Sequence, residues 1–150
     1  MAIADNSMKV PFVDLSRGFV RDQHEVFEHW DALGREGAFI LGRAVDDLEG
    51  KLTTYLGAKH CLTLNSGSDA LWLSMKALGI GSGDEVITVS NSFIATGWAI
   101  AAVDASPVVV DIGSDLNILP SSIVAAITDK TRAIVSVHLA GNPASLDILN

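Results

Sequence analysis

Cys61-Leu62-Thr63-Leu64-Asn65-Ser66-Gly67-Ser68-Asp69-Ala70-Leu71-Trp72-Leu73-Ser74-Met75-Lys76-Ala77-Leu78 places an apolar run, a turn of small residues and a helix-like segment in immediate succession. A strand that stops at Ser66-Gly67-Ser68 and turns into a helix aims free backbone N–H groups, and the positive end of the helix dipole, at one point. An anion such as a phosphate group suits that point. A plainer reading stands beside it: serine is a good N-cap and an early aspartate complements the dipole, so the turn can be a capped helix start and nothing more. The spacing is neither G-x-x-x-x-G-K-[ST] nor G-x-G-x-x-G, which removes support for nucleoside triphosphates and dinucleotides.

Outward from this turn the chain alternates strand and helix. Strand-like runs fall near 60–64, 85–90, 107–111 and 132–138, and helix-like segments near 68–78, 93–103 and 120–128. Each strand is followed by a helix and then by another strand about two dozen residues on, the rhythm of βαβ units with parallel strands. Val108-Val109-Val110 and Ala133-Ile134-Val135-Ser136-Val137 are almost continuously apolar, as strands covered by helices on both faces are. The expected fold class is therefore α/β, a parallel-sheet three-layer sandwich. Gly81-Ser82-Gly83-Asp84, Pro120-Ser121-Ser122 and Gly141-Asn142-Pro143 supply the turns between elements.

Upstream, Val26, Phe27, Trp30 and Leu33 recur at helical spacing within 21–36, and Val45, Leu48, Leu52 and Tyr55 mark a second amphipathic helix closed by Gly57. Gly37-Ala38-Phe39-Ile40-Leu41-Gly42 joins them, either as a plain turn or as a loop at an active site or interface. Residues 1–20 have no sustained period and read as an N-terminal arm, with 21–150 forming the domain.

Bulk composition sets limits. The 150 residues are 49% hydrophobic and 19% charged, a balance that suits a covered sheet and not a disordered or fibrous chain. Eighteen acidic against ten basic residues give a net charge of −8 with no cationic cluster, which argues against a nucleic-acid partner. Cys61 is the only cysteine, so an internal disulfide is excluded, and its apolar run reads it as a small buried hydrophobe. No signal peptide or membrane-spanning run is visible, and the expected location is the cytoplasm. No His, Asp or Glu spacing resembles a metal site.

In open parallel sheets ligands gather outside the carboxyl ends of the strands. Ser66 to Ser68, Asn91-Ser92-Phe93 and His138 to Asn142 all follow such ends. Phe93 taken alone reads as an aromatic packing inward from the first turn of a helix, with stacking on a flat ligand ring as the alternative. His138 reads as a satisfied residue at a strand end, with a role in the site as its alternative. Asp111, Asp115 and Asp129 read as solvated or capping.

Gly37-Ala38-Phe39-Ile40-Leu41-Gly42, Leu48-Glu49, Asn65-Ser66-Gly67-Ser68-Asp69-Ala70-Leu71 and Ala77-Leu78-Gly79-Ile80-Gly81-Ser82-Gly83-Asp84-Glu85-Val86-Ile87 together carry a resemblance, which Ser92-Phe93-Ile94-Ala95-Thr96, Ile127 to Ile134 and Val137-His138-Leu139-Ala140-Gly141 continue. In this order they closely resemble the DegT/DnrJ/EryC1/StrS aminotransferases. These are pyridoxal 5'-phosphate (PLP) enzymes of fold type I that often aminate nucleotide-linked keto-sugars. The resemblance implies that the chain is the N-terminal part of the PLP-binding large domain, that Gly67, Ser68 and Asp69 hold the cofactor phosphate, and that Phe93 stacks on the pyridine ring. It further implies substrate or interface positions at Phe39, Gly42, His138 and Asn142, an amino-acid donor such as glutamate, a keto-sugar acceptor and a homodimer. Asn142 stands where glutamine is usual, and Asn91 where a small residue or a threonine-led motif is common.

No catalytic residue is expected within the chain: the Schiff-base lysine and the aspartate that pairs with the pyridine nitrogen are expected beyond Asn150. Lys9, Lys51, Lys59, Lys76 and Lys130 fall in the arm, on helices or on connections remote from the phosphate turn. Two further readings stay open. One is a PLP-dependent sugar dehydratase of the same family, with histidine in place of the lysine. The other is a non-catalytic α/β module that binds a phosphorylated metabolite.

Overall fold

The computed structural model describes residues 11–145. Contacts divide the chain into two compact units, Met1–Thr63 and Leu64–Asn150. Residues 1–10 of the expected arm lie outside the described residues.

In the first unit, helix α1 spans Ser16–Glu36 and helix α2 Arg43–Leu56. α1 begins inside the stretch read as arm. Its first turn has no apolar stripe to announce it, yet it propagates the helix, because adding a residue to an existing helix costs far less than nucleating one. Gly37 and Gly57 close the two helices in the left-handed conformation, at φ 65° and 64°, where a β-carbon would be strained. Phe27 meets Phe19 edge-on and Trp30 at a tilt, with ring centroids 6.1 Å apart in each pair.

The expected strand at 60–64 is not formed. A strand exists only where a ladder takes up its backbone groups. Here Glu49 takes that part: its Oε1 accepts the Thr63 N–H at 2.7 Å and the Thr63 hydroxyl at 2.8 Å. Leu62 is 77% exposed and Cys61 is half-buried, not the buried hydrophobe expected.

The second unit is the three-layer α/β structure. Its elements are α3 (Gly67–Ala77), β1 (Glu85–Val89), α4 (Ile94–Ala101), β2 (Ser106–Val110), α5 (Pro120–Ala126), β3 (Thr131–Ile134) and a 3₁₀ turn, Leu139–Gly141. The strands are parallel in the order β2-β1-β3. β1 is central, and Val86 and Ile87 are fully buried, one on each face. Met75, Val86, Ala99, Ile100 and Val103 form the core under α3 and α4, and Ile87, Val89, Ile118 and Ile123 form the core under α5. This is the pleat acting as it must: neighbours along β1 point to opposite faces, and both faces are covered.

β3 is shorter than the run at 132–138. Pairing with β1 nevertheless continues past its end, since Val135 N–H donates to Ile87 O at 2.8 Å and the Thr88 hydroxyl donates to Val135 O at 2.9 Å. Among the described residues no helix is long and apolar enough to cross a membrane.

Candidate functional site

The connection 78–84 leaves the C-terminal end of α3 and enters the amino end of β1. It is held by a turn in which Gly81 N–H donates to Asp84 Oδ2 at 3.0 Å and Asp84 N–H donates to Gly81 O at 3.0 Å. α3 packs along the sheet through Leu71, Trp72 and Met75, so its N-terminus points to the carboxyl edge. Phe93, two residues beyond the Asn91 that follows β1, and His138 and Asn142, after β3, lie at the same edge. Gly67, Ser68, Asp69, Phe93, His138 and Asn142 therefore share one rim of the second unit.

At the entrance to α3, Ser66 is the N-cap. Its Oγ accepts the Asp69 N–H at 3.1 Å and lies 3.2 Å from Asp69 Oδ2, which accepts the hydroxyl proton, while Ser66 O accepts the Ala70 N–H at 3.0 Å. The capping bond thus uses the Asp69 amide. The Gly67 and Ser68 amides precede the first intrahelical bond and point outward. A β-carbon placed on Gly67 meets nothing within 4 Å, so the side of the turn at Gly67 is uncrowded. Two backbone donors, the Ser68 hydroxyl and a positive helix end form a donor set suited to a phosphate group. The residues fit the group that the resemblance implies. Asp69, whose carboxylate would repel a phosphate, faces the Ser66 hydroxyl.

Phe93 is the N-cap residue of α4, in extended conformation, and is 75% exposed. The inward packing expected from its residue type is not found. Its carbonyl is turned into the helix to accept Thr96 N–H at 3.0 Å, and Ser92 Oγ donates to Thr96 Oγ1 at 2.7 Å. The backbone of the turn is pinned while the ring stands free.

His138 is satisfied: its Nδ1 accepts the Ala144 N–H at 2.9 Å. Asn142 Nδ2 donates to Asp115 O at 3.2 Å. In the first unit, Phe39 is 76% exposed, and Gly42 precedes α2 with so close an approach that a β-carbon there would meet Ala38 O at 3.1 Å. Trp30, Leu33, Ala38, Phe39, Gly42, Ala44 and Val45 line an apolar hollow of about 430 Å³ beside that loop.

The lysines are placed as follows. Lys76 lies in the last turn of α3, the opposite end from Ser68, with Nζ 5.2 Å over the Trp72 ring. Lys130 lies at the amino edge, where its carbonyl accepts the Glu85 N–H at 2.9 Å. Lys51 is on α2, Lys59 follows it, and Lys9 lies outside the described residues.

Sequence reasoning missed a group of polar side chains at the carboxyl edge. Asn91 Nδ2 donates to Leu116 O at 2.9 Å. Asn117, only 2% exposed, donates from Nδ2 to Asp115 Oδ2 at 3.1 Å and to Pro143 O at 3.2 Å. Gly113, Asp115 and Asn117 are turn-forming residue types, but nothing local shows that their partners lie in the loops after β1 and β3.

Comparison with known proteins shows the family. Residues 21–150 match the profile of the DegT/DnrJ/EryC1/StrS aminotransferase family. The chain is 43% identical to a dTDP-3-amino-3,6-dideoxy-alpha-D-galactopyranose transaminase of Aneurinibacillus thermoaerophilus, over 94% of this chain and 39% of that protein. It is 39% identical to a UDP-2-acetamido-2-deoxy-3-oxo-D-glucuronate aminotransferase of Pseudomonas aeruginosa, over 94% and 40%. The crystal structure of ntda from Bacillus subtilis with bound cofactor PMP superposes with a TM-score of 0.90 at 34% identity, over 97% of this chain and 34% of that one. The chain spans about two fifths of the length of the curated relatives it matches.

Proposed function

Because this chain belongs to the DegT/DnrJ/EryC1/StrS aminotransferase family and has its fold-type-I architecture, we propose that it supplies the phosphate and ring contacts of a PLP-dependent aminotransferase acting on a nucleotide-linked keto-sugar. The carrying observation is the entrance to α3, where the Ser66 cap takes the Asp69 amide and the Gly67 and Ser68 amides precede the first intrahelical bond. The relatives named as nucleotide-sugar transaminases support the acceptor class. Glutamate as donor and a homodimer follow from the resemblance.

PLP, when bound, supplies the electron sink through which an amino group passes from an amino acid to a keto carbon. The chain's own residues bind and orient. Gly67 and Ser68 donate backbone N–H groups, and Ser68 its hydroxyl, to the phosphate. Asp69 keeps the Ser66 cap closed and so keeps the two amides aimed outward. Phe93 offers a ring face to the pyridine, with its backbone held by the Ser92–Thr96 turn. Lys76, in the last turn of α3, and Lys130, at the amino edge of the sheet, both lie away from the phosphate entrance.

Ser68→Glu tests this reading. An acidic residue in the first helical turn suits the dipole and keeps the helix, while its carboxylate competes for the phosphate position. Wild-type chain is expected to bind PLP reversibly in an absorbance titration, and Ser68→Glu to lose binding with its thermal midpoint retained. Unchanged affinity would remove the assignment.

A further inference from the structure

The loops at the carboxyl edge are joined by asparagine side chains. Residues 111–119, after β2, form a strap closed on itself by the bridge between Ile112 and Ile118 and by Gly113 N–H donating to Asn117 O at 2.9 Å. Asn142 and Asn117 tie the strap to the loop after β3, through Asp115 O and Pro143 O. One described side-chain bond ties it to the loop after β1: Asn91 Nδ2 to Leu116 O. Leu116 sits there at φ 66°, a conformation that a leucine holds only when its surroundings impose it.

Asn91 is only half satisfied at this place. Its Oδ1 is buried with no partner among the described residues, a penalty an apolar side chain of similar size would avoid. What the asparagine provides is the Nδ2 bond, and the turn that bond grips is the one that presents Phe93. We propose that Asn91 is a positioning residue: by fastening the 111–119 strap to the turn at 91–96, it fixes the direction of the Phe93 ring, so that the ring contact with the cofactor depends on the strap. This rests on the cofactor site proposed above.

Two variants approach the clasp from opposite sides. Asn91→Ala deletes the bond. Gly113→Ala leaves Asn91 in place, but its β-carbon would lie 2.8 Å from Asp115 Oδ1 and must displace that carboxylate from Asn117. The full chain and each variant are titrated with PLP and, separately, with inorganic phosphate, which uses the α3 entrance without a ring. Each single variant is expected to weaken PLP binding by about three- to tenfold, the worth of an aromatic stack, with phosphate binding unchanged. The double variant is expected to lose no more than either single one, since both act through one link. Amide hydrogen exchange in the unliganded chain is expected to quicken in both 92–96 and 113–119 in Asn91→Ala.

Equal weakening of PLP and phosphate, additive losses in the double variant, or exchange that quickens in one segment alone would each overturn the proposal. If wild-type chain binds neither probe, the cofactor reading fails by itself. The exchange experiment then decides the clasp: joint quickening upholds it, and quickening confined to one segment or to neither refutes it.

Discussion

One carboxylate oxygen of Glu49 accepts both the backbone N–H and the hydroxyl of Thr63, at 2.7 and 2.8 Å. The backbone bond, and then the hydroxyl bond, holds the Glu49 carboxyl below its ordinary range. A group whose folded-state value is depressed stabilises fully above its unfolded value, and that contribution is lost as pH falls through the folded value. Glu49→Gln is therefore expected to lower the unfolding midpoint at neutral pH, and the gap to wild type is expected to close on acidification below the ordinary carboxylate range. Thermal unfolding across that range checks it, and a gap independent of pH would contradict it.

Ile100 of α4 is fully buried among Met75, Val86, Ala99 and Val103. Ile100→Ala leaves a cavity in a core that packs one whole face of a three-stranded sheet, and is expected to cost about 2–5 kcal/mol. Against a total on the order of 5–15 kcal/mol for a domain, the loss should be plain in a urea unfolding curve. A shift of the midpoint too small to resolve would mean that α4 is not seated as described.

Phe93 behaves in the opposite way. At 75% exposed, its ring contributes little to the core, so Phe93→Ala is expected to change stability by no more than about 0.5 kcal/mol. The same change is expected to weaken PLP binding by about three- to tenfold. Destabilisation as large as that of Ile100→Ala would restore the inward-packed reading of this aromatic.

Leu116 is held at φ 66° while half its surface is exposed. A left-handed conformation costs a side-chain-bearing residue about 1–2 kcal/mol, and glycine's extra freedom in the unfolded chain returns about 0.5–1 kcal/mol of that. Leu116→Gly is expected to raise stability by the difference, about 0.5–1 kcal/mol, read as a higher denaturant midpoint. A lower midpoint would show that the leucine side chain supports the strap.

Much of the second unit was legible because its signals are local. The apolar runs at Glu85–Val89 and Ser106–Val110 and the turn at 81–84 give the βαβ order within one or two residues, and Gly57 marks the end of α2 by its own conformational freedom. What failed was what depends on partners. Cys61 to Leu64 has the composition of a strand, but composition cannot show that Thr63 bonds to a glutamate fourteen residues earlier. For Phe93 taken alone the residue type favours burial, whereas its place as N-cap residue leaves the ring exposed. Asn91 and Leu116 lie 25 residues apart, and an asparagine amide leaves no periodic trace by which such a bond could be found.

The central claim is that the Gly67 and Ser68 amides receive the phosphate of PLP, and amide chemical shifts report on it directly. In a titration of the isotope-labelled chain with PLP, the largest shifts are expected at Gly67 and Ser68, with the same amides moving in inorganic phosphate and remaining still in Ser68→Glu. Largest shifts elsewhere, with Gly67 and Ser68 unmoved at saturation, would contradict it.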